Sequence, residues 1–108
     1  MTVKVLCEKT GLTPISLPDG EREIEGVYCG DLLSWVMGKA QSGNAWITIM
    51  QNINVVAVAS LSDVSCVILA EKVQLDEDAQ KAANDKGINI LSSEKSAYEI
   101  ALILGNVL

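Results

Sequence analysis

The chain has 108 residues and a mass of 11.5 kDa, room for one domain and not two. Fourteen acidic and eight basic side chains leave a net charge of −6, and there is no histidine. That balance excludes nucleic acid and anionic membrane surfaces as partners, since both require clustered Lys and Arg. The missing imidazole removes the commonest general base and metal ligand, and with them every Ser-His-Asp or Cys-His catalytic set.

Apolar residues make up 49% and charged residues 20%, a composition that folds. The N-terminal MTVKVLCEKTGL lacks the basic and apolar regions of a signal peptide. No stretch approaches the ~18 apolar residues of a membrane helix. Cys7, Cys29 and Cys66 are odd in number, widely spaced and free of any C-x-x-C pattern. They read as thiols in a reducing cytoplasm rather than as a disulfide framework or a zinc site. Cys66 sits in an apolar strand pattern and reads as inert core. Cys29, near a helix start, is the one candidate for a reactive thiol.

In chain order, Val3, Leu6 and Cys7 have helical spacing, with Thr2 to cap the start and Gly11 the end. Pro14 and Pro18 bracket a short extended piece that proline bars from the middle of a sheet. Asp19-Gly20 signals a turn. Glu21 to Tyr28 then reads as an edge strand protected by its charges. Asp31 is the expected N-cap of the next helix. Leu32, Leu33, Val36, Met37 and Ala40 form its apolar face, with Trp35 pointing away from that stripe and Ser42-Gly43 after it.

From there a strand–helix unit repeats three times. The strands are Ala45–Met50, Ser65–Ala70 and Ile88–Leu91. Asn52 to Asp63 is ambiguous. Val55, Val56 and Val58 favour a strand by propensity, whereas Ile53, Val56, Ala57 and Leu61 keep helical spacing behind a capping Asn52 or Asn54. The alternation selects helix. Asp76 to Lys86 forms the next helix, with acids at its positive end, Gly87 after it, and a face of small residues, Ala79, Ala82 and Ala83. The last helix opens on a capping box, Ser96-x-x-Glu99, and is expected to stop at Gly105. This order predicts an α/β fold: a single three-layer-like domain with a mainly parallel sheet flanked by helices. The thirty residues from Gln41 to Ala70 carry one charge, Asp63, as strands covered on both faces or a surface covered by a partner would.

The stretch GVYCGDLLSWVMGKAQSGNAWITIMQNINVVAVASLSDVSCVILA, followed by KAANDKGINILSSEKSAYEI, resembles the stand-alone proteins of the DRTGG-domain family, relatives of the N-terminal domain of bacterial HPr kinase/phosphorylase. The resemblance spans about residues 26–104. It is sharpest at Gly26-x-Tyr28-x-x-Asp31-Leu32-Leu33-Ser34-x-Val36-Met37 and at Trp46-Ile47-Thr48 followed by Asn54-x-x-Ala57-Val58-Ala59. It implies one domain over residues 1–108 of the HPr kinase N-terminal type, a homodimer, and a regulatory role without catalysis. Relatives sit beside CBS domains in pyrophosphatases regulated by adenine nucleotides, and stand-alone members accompany iron hydrogenase and other redox complexes. The Asp-Arg pair of the naming motif is absent from Gln41-Ser42-Gly43-Asn44-Ala45.

A parallel sheet places ligands beyond the carboxyl ends of its strands. The loops there offer Thr48, Gln51, Asn52, Asn54, Lys72, Ser92, Ser93 and Ser96, polar groups beside helix N-termini that favour an anion or serve simply as caps. Neither a Walker A motif nor a G-x-G-x-x-G is present. Asp76, Glu77 and Asp78 are better explained by the helix dipole than by a metal, and no cofactor is expected. Trp35 and Trp46 are the candidate interface anchors. The expectation is a non-enzymatic, cytoplasmic regulatory or interaction module, homodimeric, accessory to a redox or signalling complex. The alternative is a sensor binding an adenine nucleotide or other anion at the strand-end loops.

Overall fold

A computed structural model describes all residues 1–108. Five strands form one sheet: β1 (Thr13–Ser16), β2 (Val27–Cys29), β3 (Ala45–Thr48), β4 (Cys66–Leu69) and β5 (Ile90–Ser92). Their spatial order is β1-β5-β4-β3-β2. Strands β2 to β5 run parallel, with Val27 beside Ala45, Ala45 beside Cys66 and Val67 beside Ile90. Strand β1 is antiparallel to β5 and forms one edge, so Pro14 sits where a missing N–H does least harm. The helices are α1 (Val3–Thr10), α2 (Leu33–Lys39), α3 (Ile53–Leu61), α4 (Glu77–Lys86) and α5 (Ala97–Val107).

Alternation along the strands sorts the core into two halves. Trp46, Val67, Leu69 and Ile90 face Val36 of α2, Val55, Val56, Val58 and Ala59 of α3, and Ala79 and Ala83 of α4. Ala45, Ile47, Cys66, Ile68 and Leu91 face Val3 and Leu6 of α1 and Ile100 and Leu104 of α5. The sheet is thus covered on both sides, and β3 and β4 are buried at every position. This is the three-layer α/β arrangement expected of consecutive strand–helix units.

Helix α3 forms from the valine-rich segment because Asn52 accepts the Asn54 N–H at 2.9 Å and caps it. Once formed, α3 packs against both α2 and α4, and burial of its apolar sides outweighs the weak helix propensity of valine. Helix α4 ends where Gly87 adopts φ +74°, a left-handed conformation that a side chain would strain. The capping box of α5 is present, with the Glu99 N–H donating to Ser96 Oγ at 3.2 Å and the Ser96 N–H donating to Glu99 at 3.1 Å.

Three expected details are corrected. The carboxylate of Asp31 does not cap α2. It accepts the Thr48 hydroxyl at 2.8 Å and the Ile49 N–H at 3.0 Å, while Leu32 holds the cap position without a side-chain bond. With the helix so placed, Val36 is its buried residue, Leu33 and Ala40 pack partly, and Leu32 and Met37 are exposed. Gly105 does not stop α5, which continues to Val107. The edge strand reduces to Val27–Cys29 preceded by one bridge between Thr2 and Glu23, because Gly26 at φ +104° breaks the extended run.

Candidate functional site

The carboxyl ends of β2 to β5 point to one rim, and the loops there are bonded to one another in sequence. Gln51 in the β3–α3 loop accepts the Asp76 N–H at 3.0 Å, which ties it to the β4–α4 loop. That loop in turn donates to the β5–α5 loop, from the Glu71 N–H to Lys95 O at 2.8 Å and from the Lys72 N–H to Ser93 O at 2.9 Å. Both Glu71 and Lys72 adopt φ +60°, a left-handed turn that is costly for residues with side chains and is held here by those two bonds.

Between the β4–α4 and β5–α5 loops lies a cleft of about 400 Å³. Its walls are Lys72, Gln74 and the apolar Val73 and Leu75 on one side, and Ser92, Ser93 and Glu94 on another. Gln80 of α4 and Thr13 and Ile15 of the edge strand β1 close it. Lys72 Nζ lies 3.5 Å from a Glu94 carboxylate oxygen. Gln80 donates a long 3.4 Å bond to Ile15 O. A second, smaller hollow of about 190 Å³ opens at the opposite rim, beside Arg22, Asp63 and Lys86. There the Arg22 guanidinium donates to Asp63 at 3.1 Å, and the Ser42 hydroxyl donates to the other carboxylate oxygen.

The eight sequence-derived ligand residues therefore divide. Lys72, Ser92 and Ser93 line the cleft. Thr48 is 1% exposed, and its hydroxyl is engaged by Asp31. Asn52 caps α3 and Ser96 caps α5, the ordinary work of those residue types. Gln51 and Asn54 are exposed on the β3 side, away from the cleft walls. Thr13, Ile15, Gln74 and Gln80 were not among the sequence-derived residues. The first two reach the site only through the β1–β5 pairing, which joins segments more than seventy residues apart.

The interface candidates also divide. Trp46 is fully buried, and its indole N–H donates to Gly30 O at 2.8 Å, so it is a core residue and is corrected as an interface anchor. Trp35 is 57% exposed, with the Lys39 ammonium 4.0 Å above its ring. Leu32, Met37, Ile49 and Ile53 are exposed as well. The three thiols are all held protonated: burial raises Cys7 and, with the nearby Asp31 charge, Cys29, and it pushes Cys66 up to about 12. Asp76, Glu77 and Asp78 remain at the start of α4, Asp78 accepting the Ala79 N–H at 2.8 Å. No group of three acidic or cysteine side chains converges to hold a metal ion. No helix is long and apolar enough to cross a membrane.

Scans of the sequence against protein-family models and against curated proteins return no match. The fold, by contrast, is similar to a solved structure. It is the crystal structure of the CBS and DRTGG domains of the regulatory region of Clostridium perfringens pyrophosphatase, complexed with its activator diadenosine tetraphosphate. The two agree with a TM-score of 0.74 over 95% of this chain at 9% sequence identity. This chain spans 45% of that one. The likeness supports a DRTGG-like fold.

Proposed function

We propose that this chain is a non-catalytic regulatory module that senses a small molecule of the adenine-nucleotide class in the cleft between the β4–α4 and β5–α5 loops. The cleft carries the reading. It lies beyond the carboxyl ends of parallel strands, where open α/β sheets bind ligands, and falls within the roughly 300–1,000 Å³ of small-molecule sites. Hydrogen-bonding side chains surround it, and its one cation is paired with a carboxylate. A non-catalytic role is supported by a sequence without histidine and by thiols whose ionisation is disfavoured by burial. The adenine-nucleotide class is supported by the structural relative, a regulatory region bound to a dinucleotide activator. The reading places the chain in the stand-alone DRTGG family and in a bacterial cytoplasm.

Thermal-shift titration with adenine nucleosides and nucleotides tests it. A ligand with Kd of about 10 μM adds roughly 2.7 kcal/mol of stability at about 1 mM, a plainly visible rise in Tm. No rise with any member of the panel refutes the sensor.

A second reading is favoured by a separate observation. Exposed Leu32, Trp35 and Met37 lie on and beside α2, in a run without charge between Asp31 and Lys39. That surface fits an interaction role, as a homodimer contact or a docking face for a larger redox or signalling complex. Light scattering is the test. A strict monomer whose associations are unchanged by Trp35→Ala refutes this reading.

A further inference from the structure

We infer that the cleft seats the uncharged nucleoside part of its effector, base and sugar, and leaves the phosphates outside. This rests on the sensor reading above and states which end of the ligand the site recognises.

The backbone argues first. Phosphate sites at strand–helix turns work by aiming free N–H groups at the anion. Here the N–H groups of Glu71, Lys72 and Val73 donate to Lys95 O, Ser93 O and Ala70 O. Those of Ser93, Lys95 and Ser96 donate to Leu69 O, Ser93 Oγ and the Glu99 carboxylate. Those six donors are therefore occupied within the chain, the N–H groups of Gln74, Leu75 and Glu94 are left without an acceptor, and the N-terminus of α5 already holds its own anion in Glu99.

Charge argues the same way. The two loops and the first turn of α4 carry Glu71, Asp76, Glu77, Asp78 and Glu94 against Lys72 and Lys95. Lys72 is already paired with Glu94. A polyphosphate entering this rim meets net repulsion and finds no unpaired cation inside the cleft.

What remains free is suited to a neutral heterocycle. The side chains of Thr13, Gln74 and Ser92 make no hydrogen bond within the chain, and Gln80 makes only its long one to Ile15 O. Carboxamides present a donor and an acceptor side by side, the pattern that pairs with the edge of a purine. Ile15, Val73 and Leu75 supply the apolar surface to cover a ring face.

The test is isothermal titration of the intact chain with adenosine, AMP, ATP and inorganic phosphate at low and at physiological salt. Adenosine binds at least as tightly as AMP. ATP binds weaker by about tenfold at low salt, a gap that narrows as salt screens the rim. Inorganic phosphate neither binds nor competes. Ser92→Ala, which removes a hydroxyl with no partner in the chain, weakens adenosine by about fivefold and leaves the melting temperature of the free protein unchanged. Glu94→Gln unpairs Lys72 and closes part of the gap between ATP and adenosine. ATP binding tighter than adenosine, or phosphate competing with it, overturns the inference and leaves the sensor standing. Adenosine binding that ignores Ser92→Ala overturns it by placing the ligand elsewhere. Failure of every probe to bind overturns the inference and the sensor reading together.

Discussion

Replacing Trp46 by phenylalanine separates a core tryptophan from an interface tryptophan. The ring is fully buried in the half-core under α2 and α3, and its N–H donates to Gly30 O at 2.8 Å. Phenylalanine keeps the apolar contact but leaves the Gly30 carbonyl without its partner, a loss of ~1 kcal/mol. The smaller ring also leaves an unfilled gap, worth a further ~1 kcal/mol. For a chain of 108 residues the unfolding entropy is about 0.23 kcal/mol/K, so a total near 2 kcal/mol lowers Tm by about 9 °C. Trp35→Ala removes an exposed ring that carries the Lys39 ammonium over its face, and it costs at most about 1 kcal/mol. Thermal and urea melts followed by far-UV circular dichroism compare the two at constant protein concentration. The reasoning is refuted if Trp46→Phe shifts Tm by less than about 2 °C, or if Trp35→Ala is the more damaging.

The remaining predictions concern the polar clamps and the thiols. Asn89 is buried, accepts the Asp19 N–H at 2.9 Å and donates to Asp19 O at 2.7 Å and Ser65 O at 3.0 Å. Asn89→Ala strands these groups and costs ~3 kcal/mol in a urea melt, whereas a loss below ~1 kcal/mol contradicts the clamp. Hydrogen bonds from Ser42 and then Arg22 hold the Asp63 carboxyl below its ordinary value of 3.8. Its contribution is therefore complete above that value and is lost as pH falls through the lower folded-state value. Asp63 is exposed and screened, so the effect is small. Asp63→Asn should flatten the acid limb of stability against pH, and an unchanged limb counts against the pairing. With Cys66 buried and its thiol pushed up to about 12, a thiol reagent at neutral pH labels Cys29 first and Cys66 only on unfolding. Labelling of Cys66 in the folded protein rejects its core placement.

Much of the architecture is legible in the residues because each repeat unit carries its own punctuation. Asn52 before α3, Gly87 after α4 and the Ser96–Glu99 box before α5 act locally, and local signals survive into the fold. Helix α3 is instructive. Valines alone point to a strand, whereas the spacing of Ile53, Val56, Ala57 and Leu61, the cap and the strand–helix alternation point to the helix that forms. What local reading misses is set by contacts distant in sequence. Asp31 looks like a cap but serves Thr48 and Ile49 across the rim. Trp46 looks like a surface anchor but finds a backbone acceptor at Gly30. Three of the eight polar strand-end residues, Thr48, Asn52 and Ser96, turn out to be caps and staples, since the same side chains that bind ligands also satisfy helix ends. The far wall of the cleft, Thr13 and Ile15, comes from a proline-bearing strand whose partner lies at the other end of the chain.

The most direct measurement is a two-dimensional ¹H–¹⁵N correlation spectrum recorded as adenosine is added to the isotopically labelled protein. Effector binding at the cleft predicts saturable shifts concentrated at Thr13, Ile15, Lys72 to Leu75, Gln80 and Ser92 to Glu94, with Gln51 to Asn54 little moved. Saturable shifts centred on Gln51 to Asn54, or a spectrum that does not change at all, would contradict it.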